Sequence, residues 1–430
     1  MPDATAIAAR VRAFAGLFVS REGLRLACGM MLAGALGFLA LLFATIGPGG
    51  ATAFKSYLGN DYAGFYTAAT LLNRYEPARL YDVTLQGELF HRLLPAIPPH
   101  LSLIYAHAPF LAVVLRPLAW LPLAWSYAAW LAIAAALALA GLGLVLGTAE
   151  AIPRADRTTA LLLALTFEPL LMETWLGGQM AVLGLFWAAL ALRCERRGRP
   201  EGVGAALAMV LYKPSLALLL APMLVVGGRI RVLIGFAATG LGLAAFSLLA
   251  IGREGCLSYV RLLLNYARFT SRGAPGFQVA KHVDLNTFFT LLSGGPSPAG
   301  RAAVVAAALI GVPLLASCWW SARRGGADRR ALALAATLSW TAVFNLYTPI
   351  YDAALVLPGV IVTADVLARR GGGRLPGRFR ALLGLLGLVP WVSQALALAM
   401  GFQPLTLVLL ALGAFQIDLA RRVGADEVSG

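Results

Sequence analysis

The chain is short of charge. Of its 430 residues only 13% are Asp, Glu, Lys or Arg, where soluble domains carry about 25%. Acidic residues are the scarcer sign, 20 Asp and Glu against 35 Lys and Arg, giving a formal net charge of +15. In their place, 60% of residues are hydrophobic and the mean hydropathy is +0.77. Such a composition excludes an ordinary soluble domain and describes a polytopic membrane protein. Nor does the positive balance point to nucleic acid. The arginines fall in short clusters between apolar runs, as in loops that stay in the cytoplasm.

Cysteine and histidine are also sparse. Cys28, Cys194, Cys256 and Cys318 are scattered without a CxxC pair or metal-ligand spacing, and they read as small core residues. His91, His100, His107 and His282 lack the close helical spacing of a zinc site. Carboxylates are ligands for magnesium or calcium, but nothing here demands a metal or a cofactor. Repeats of fixed period and linkers long enough to separate domains are missing too.

What the chain does have is apolar runs punctuated by arginine. The first, Leu26 to Ile46, follows Arg10, Arg12, Arg21 and Arg25. It exceeds the roughly 7–15-residue core of a cleavable signal, so it reads as an uncleaved anchor with a cytoplasmic N-terminus. Arg154 with Arg157, Arg193 to Arg199, Arg229 with Arg231, Arg323 to Arg330, Arg369 to Arg380, and Arg421 with Arg422 are assigned to the same side. The loops 48–121, 176–179, 252–300 and 347–352 then face outward, as does a turn near Gly401.

Two stretches need more than a simple span. Pro109, Pro117 and Pro122 with Arg116 interrupt the run after 103, and a helix interior tolerates proline poorly. Residues 106–120 therefore read as an interfacial or re-entrant helix ahead of a full span at 122–147. Residues 201–227 lie between two basic clusters, and Lys213-Pro214 splits them into halves too short for the ~30 Å hydrocarbon core. A helical hairpin with Lys213 at its outer tip satisfies both constraints.

The expected fold is all-α, with about twelve transmembrane helices at 26–47, 122–147, 158–175, 178–193, 201–212, 214–227, 231–251, 301–321, 331–347, 353–368, 381–400 and 403–420. Residues 1–25 form a cytoplasmic segment and 26–251 a membrane-embedded catalytic module. A basic outer loop at 252–300, C-terminal helices at 301–420 and a cytoplasmic tail at 421–430 complete the chain. The outer loop carries Arg253, Arg261, Arg268, Arg272 and Lys281 against Glu254 and Asp284. Positive charge is unusual on that side: either the threading is wrong there, or the loop binds an anion.

With charge clusters alone setting the topology, several polar residues land on the outer face. Asp61 follows the anchor within Gly59-Asn60-Asp61-Tyr62-Ala63-Gly64-Phe65-Tyr66. Gln179 follows Gly177-Gly178, Lys213 tips the hairpin, and Thr348-Pro349-Ile350-Tyr351-Asp352 forms a later turn. Ionisable groups at membrane depth usually mark sites. Each also has a structural reading. Asp61 and Asp352 suit helix N-caps, Gln179 suits a turn, Lys213 can snorkel to the headgroups, and Tyr62, Phe65 and Tyr66 fit an interfacial aromatic belt as well as a sugar-stacking surface. Glu173 lies about one turn from the outer surface, and Glu168 lies deeper.

In this order the motifs resemble the polyprenol-phosphate-sugar-dependent glycosyltransferases of the C superfamily. Within it they are most similar to glycosyltransferase family 87, which includes mycobacterial α-1,2-mannosyltransferases. The resemblance covers about residues 25–370. It rests on Asp61-Tyr62, Pro77 to Tyr81-Asp82, Tyr105-Ala106-His107-Ala108-Pro109 with Pro117, Gly178-Gln179, Tyr212-Lys213-Pro214 and Thr348 to Asp352. It implies interfacial helices in the first outer loop, and a metal-independent, inverting transfer from a polyprenyl-phosphate sugar to a glycolipid or glycan hydroxyl. The site would be extracytoplasmic in a bacterial inner membrane. Asp61 takes the family's catalytic aspartate position, so Asp61 is expected as general base. Lys213, Arg268, Arg272, Lys281 and His282 are expected at the donor phosphate, and Tyr62, Tyr66, His107, Gln179, Tyr351 and Asp352 around the substrate. Met180 stands where members often have Asn, and Tyr351-Asp352 where the mycobacterial enzymes place a His. The competing class is a transporter or flippase of a lipid-linked sugar.

Overall fold

The computed structural model describes residues 20–47, 50–54, 58–59, 61–98, 101–265 and 279–429. Among them the chain is helical, with one isolated antiparallel bridge between His282 and Pro349. Seven of the described helices are long and apolar enough to cross a bilayer. In chain order these are α1 (Arg21–Ala44), α5 (Leu123–Leu146), α10 (Ile230–Leu264), α12 (Pro298–Ala322), the run Ile350–Arg370 that ends in α14 (Leu357–Arg370), α15 (Gly377–Met400) and α16 (Pro404–Ser429). The protein is an integral membrane protein of all-α class.

The other expected segments are present as shorter or broken helices. Residues 154–176 form α6 (Arg154–Leu165) and a π-helix (Pro169–Leu176) bent by 56°. If this bent pair is one span, the described residues hold eight. The break falls at Thr166-Phe167, just ahead of Pro169, which has no N–H to continue the ladder. α7 (Ala181–Arg196) has 16 residues and α13 (Ala327–Thr341) has 15, which at 1.5 Å per residue is roughly 22–24 Å of helix. By length alone, the described residues do not reach the count of twelve.

The hairpin at 201–227 is there: α8 (Pro200–Ala208) runs into a 3-10 turn at Met209–Tyr212, and a second turn at Pro214–Leu216 starts α9 (Ala217–Val226). The loop after α1 holds α2 (Tyr62–Arg74), α3 (Val83–Leu93) and α4 (Pro109–Leu115). The segment 252–300 is less of a loop than its composition suggests. α10 continues past Gly252, where φ is 71° and ψ 174°, as far as Leu264, and α11 (Leu285–Leu292) lies further on.

Burial separates the helices into an inner and an outer set. α13 and the run Ile350–Arg370 are almost wholly enclosed, whereas α1, α10 and α12 leave Leu36, Leu241, Leu249, Leu309 and Ile310 exposed, as lipid-facing helices do. At one end of the bundle the arginine clusters meet. Buried Glu195 pairs with Arg229 at 2.9 Å and Arg330 at 2.7 Å, and buried Asp365 accepts from Arg196, Arg369 and the Ala151 amide. Arg196 ends α7, and α7 begins beside Gln179, so the loops carrying the other polar residues lie at the opposite end.

Candidate active site

Asp61 precedes α2 without capping it. Its backbone is helical, φ −67° and ψ −25°, and its side chain makes no cap hydrogen bond. The capping alternative is thereby overturned. The half-buried carboxylate turns away from the helix, and its Oδ2 accepts from Gln179 Nε2 at 2.7 Å, while the Asp61 amide donates to the Gly177 carbonyl at 3.0 Å. Two glycines permit this approach. Gly178 has φ +75°, and a Cβ there would stand 2.6 Å from Tyr62 Cβ and 2.8 Å from the Gly59 carbonyl oxygen. Gly59 has φ +74° and lies against the Tyr127 ring. That ring's hydroxyl donates to the Trp175 carbonyl at 2.8 Å, fixing the end of the π-helix.

Burial raises the Asp61 pKa above the ordinary carboxylate value. The Gln179 hydrogen bond and Lys281 oppose the shift, and Glu173 reinforces it. Lys281 and Glu173 are themselves paired, Nζ to Oε2 at 3.2 Å, and Gln394 of α15 donates to the other Glu173 oxygen at 3.3 Å. Asp61, Gln179, Glu173 and Lys281 form one polar cluster assembled from separate parts of the chain.

A second cluster lies around the hairpin tip. Lys213 Nζ is hydrogen-bonded to Asp352 Oδ2, and both side chains are buried. The ammonium lies 4.9 Å from the Tyr351 ring centroid and 5.8 Å from that of Tyr347. His282 packs on Tyr347 with ring centroids 4.4 Å apart, and the Val283 amide donates to the Thr348 carbonyl at 2.8 Å. The strap bearing Lys281 is therefore laced to the turn bearing Asp352, which places the two clusters side by side.

An aromatic wall joins them on another side. The His107 ring lies parallel to Tyr212 at 6.2 Å and packs on Phe65 of α2 at 5.0 Å and on Tyr105 at 5.7 Å. The Ala108 amide donates to the Tyr212 carbonyl at 2.9 Å. Burial first, and then the Lys213 charge, push the His107 pKa down to about 3. The imidazole is neutral at any physiological pH.

The structure thus brings together Asp61, Gln179, Lys281, Lys213, Asp352, Tyr351, His282 and His107. Tyr62 and Tyr66, expected to face substrate, are packed instead. Both rings are buried, with Tyr62 Oη 2.7 Å from Ser126 Oγ and Tyr66 Oη donating to the Leu121 carbonyl at 2.8 Å. α2 is enclosed along nearly its whole length, from Tyr62 to Leu72, so these rings meet neighbouring segments of the fold. Arg268 and Arg272 lie outside the described residues. Sequence reasoning left out Gln394, Tyr105 and Tyr212 as site-lining groups. It also counted Asp284 only as loop charge, whereas this residue caps α11 and accepts from the Thr348 amide at 3.2 Å. Among the described residues, three or more His, Cys, Asp or Glu side chains nowhere group in a way that could hold a metal ion.

A family model described as Glycosyltransferase family 87 matches residues 105–349, more than half of the chain. The chain belongs to glycosyltransferase family 87. It is a membrane glycosyltransferase, with a sugar donor and an acceptor as its partners. No curated protein and no solved structure matches it. The matched span of this glycosyltransferase holds His107, Gln179, Lys213, Lys281 and His282. Asp61 reaches them from the N-terminal side of the span, and Tyr351 and Asp352 follow just after its end.

Proposed function

We propose that this family 87 glycosyltransferase moves a hexose, with mannose favoured, or a pentose from a polyprenyl-phosphate carrier to a hydroxyl of a glycolipid or glycan. The acceptor oxygen bonds to the anomeric carbon as the carbon–phosphate oxygen bond breaks on the opposite face, so the configuration inverts. The hydroxyl proton passes to Asp61, and the phosphate leaves on its lipid. The observation that carries the reading is the Asp61 carboxylate, aimed by Gln179, with the strap of Lys281 beside it.

A sugar hydroxyl is a poor nucleophile and needs a base within hydrogen-bond reach. Partial dehydration makes a carboxylate more basic, and Asp61 is shifted in that direction. The departing phosphate needs positive charge near the bond that breaks. Lys281 and Lys213 are each engaged with one carboxylate, and an ammonium has three N–H donors, so both keep hydrogens for a phosphate. His282 adjoins Lys281 on the same strap. The neutral His107, Tyr351 and Asp352 line the sugar, with Asp352 also holding Lys213.

The reaction is assigned to the extracytoplasmic face of a bacterial plasma membrane. The arginine clusters gather at the opposite end of the bundle, where the positive-inside rule places both termini. The short helices and the bent pair then complete about twelve membrane segments.

The test uses full-length protein in lipid nanodiscs with a membrane-lipid extract and radiolabelled polyprenyl-phosphate mannose, arabinose, glucose or galactosamine. One donor is expected to be consumed, and Asp61→Asn to slow that consumption at least ~10²-fold while binding and folding persist. Undiminished transfer by D61N would remove the base. Passage of intact donor across vesicles without bond cleavage would support the flippase class instead.

A further inference from the structure

We propose that Glu173 is a positioning residue for this transfer: it holds Lys281 on one side and the Gln179 turn on the other, so that one ammonium and one carboxylate face the same reacting centre. The proposal deepens the glycosyl-transfer reading and rests on it.

Glu173 uses its acceptor atoms in three directions. Oε2 accepts from Lys281 at 3.2 Å, Oε1 accepts from Gln394 at 3.3 Å, and its backbone carbonyl accepts from the Gln179 amide at 3.0 Å. Gln179 in turn donates to Asp61 at 2.7 Å. The two groups that transfer requires, base and cation, therefore hang from a single residue. The π-helix makes this possible. Its wider turns carry Glu173 and Gly177 together, and π segments of this kind recur at functional sites.

The Lys281 end is anchored independently of Glu173. Gln403 donates to the Ala280 carbonyl at 2.8 Å, Thr406 to the Val283 carbonyl at 2.9 Å, and the Asp284 side chain fixes α11. With its backbone pinned, Lys281 keeps a side chain 31% exposed against 8% for Glu173. The lysine can turn a free N–H toward a phosphate, whereas the glutamate stays behind it. A buried carboxylate is costly unless paired, and the Lys281 ammonium supplies that pairing here.

The charges facing Asp61 are few. Lys281 comes from the strap and Glu173 from the π-helix with Glu168 behind it, while the Tyr127 phenol of α5 is uncharged. Gln179 and Tyr62 complete the surroundings as neutral groups. Glu173→Gln keeps the shape, removes a like charge and frees Lys281, and both effects ease ionisation of Asp61. Lys281→Met or Lys281→Gln removes an opposite charge and hinders it. Charges screened from Asp61, or turned away from it, would move neither.

The experiment reads Asp61 directly in the full-length protein in nanodiscs. A hydrophobic carbodiimide attacks only protonated carboxyls, and mass spectrometry gives its rate on the Asp61 peptide as a function of pH. Relative to wild type, the labelling midpoint is expected to fall by about one pH unit in E173Q and to rise by about one unit in K281M and K281Q. With polyprenyl-phosphate mannose as donor, the acid limb of kcat/KM should move in the same directions, and Glu173→Asp should restore part of the rate that Glu173→Ala loses. Coincident midpoints in folded variants, or shifts of one sign, overturn the proposal. The two readings fail separately. An active D61N sinks the base assignment whatever the midpoints do, while an inactive D61N with coincident midpoints sinks only the role of Glu173.

Discussion

Lys213 and Asp352 offer a quantitative test of whether an ion pair serves the fold, the chemistry or both. The two residues are 9% and 4% exposed. Lys213→Met removes the ammonium and leaves the carboxylate enclosed without its partner, which costs about 3–5 kcal/mol. Loss of the cation–π contact with Tyr351, 4.9 Å away, adds about 0.5–1 kcal/mol. In the double variant K213M/D352N the stranded charge is gone. Only an incompletely bonded amide remains, at a cost of about 1–3 kcal/mol. Thermal unfolding in nanodiscs should therefore rank K213M lowest, the double variant in between and wild type highest. If Lys213 serves the sugar donor as proposed, turnover should not follow that order, because the double variant regains stability without regaining a cation. K213M melting with wild type would mean that the pair is not desolvated. A double variant that recovers both stability and turnover would confine Lys213 to the scaffold.

Other perturbations test separate parts of the reasoning. Gly178→Ala puts a Cβ 2.6 Å from Tyr62 Cβ at a φ of +75°, costing about 1–2 kcal/mol for the left-handed backbone plus the clash. The displaced Gln179 should lower kcat/KM more than ~10-fold, and wild-type kinetics would show that Gln179 does not aim Asp61. His107 is held neutral, with its pKa pushed down to about 3, so the unfolded chain binds the proton more readily between that value and about 6.5. Stability should fall on acidification from pH 7 to pH 5 by about 1–2 kcal/mol, and His107→Gln should flatten that slope in pH-dependent melting curves. Glu195→Ala leaves Arg229 and Arg330 without their shared buried partner. It should destabilise by about 3 kcal/mol yet leave turnover per folded molecule unchanged, since this network lies at the far end of α7.

Patterns local in sequence were readable. The Pro-rich stretch expected as an interfacial or re-entrant helix at 106–120 holds α4 at Pro109–Leu115 and a 3-10 turn at Leu118–Trp120, and the next span starts after Pro122. Lys213-Pro214 breaks the hairpin as its composition requires. Boundaries failed where breaking residues sit inside apolar runs. Glu168-Pro169 reads as the interior of a span at 158–175 but bends the chain by 56°, because hydropathy does not register a missing N–H. Gly252 reads as the end of a helix, yet helical backbone resumes beyond it to Leu264. The site was visible as a set of residues and hidden as a set of pairs. Asp61 and Gln179 are 118 positions apart, and Glu173 and Gln394 are 221 apart. No periodicity connects such partners. Tyr62 and Tyr66 misled for the opposite reason, because aromatic residues near an interface carry the same composition whether they face a sugar or a core.

The strap that presents Lys281 borrows part of its fastening from outside the matched family span. Gln403 and Thr406, which hold the strap, and Gln394, which holds Glu173, all follow Pro349. An expression fragment trimmed to the recognisable portion would keep the lysine and the strap's ties to Val343 and Thr348 but lose those to Gln403 and Thr406. Minimal versions of this enzyme should therefore keep α15 and α16, whose residues brace Glu173 and the strap from outside the matched span.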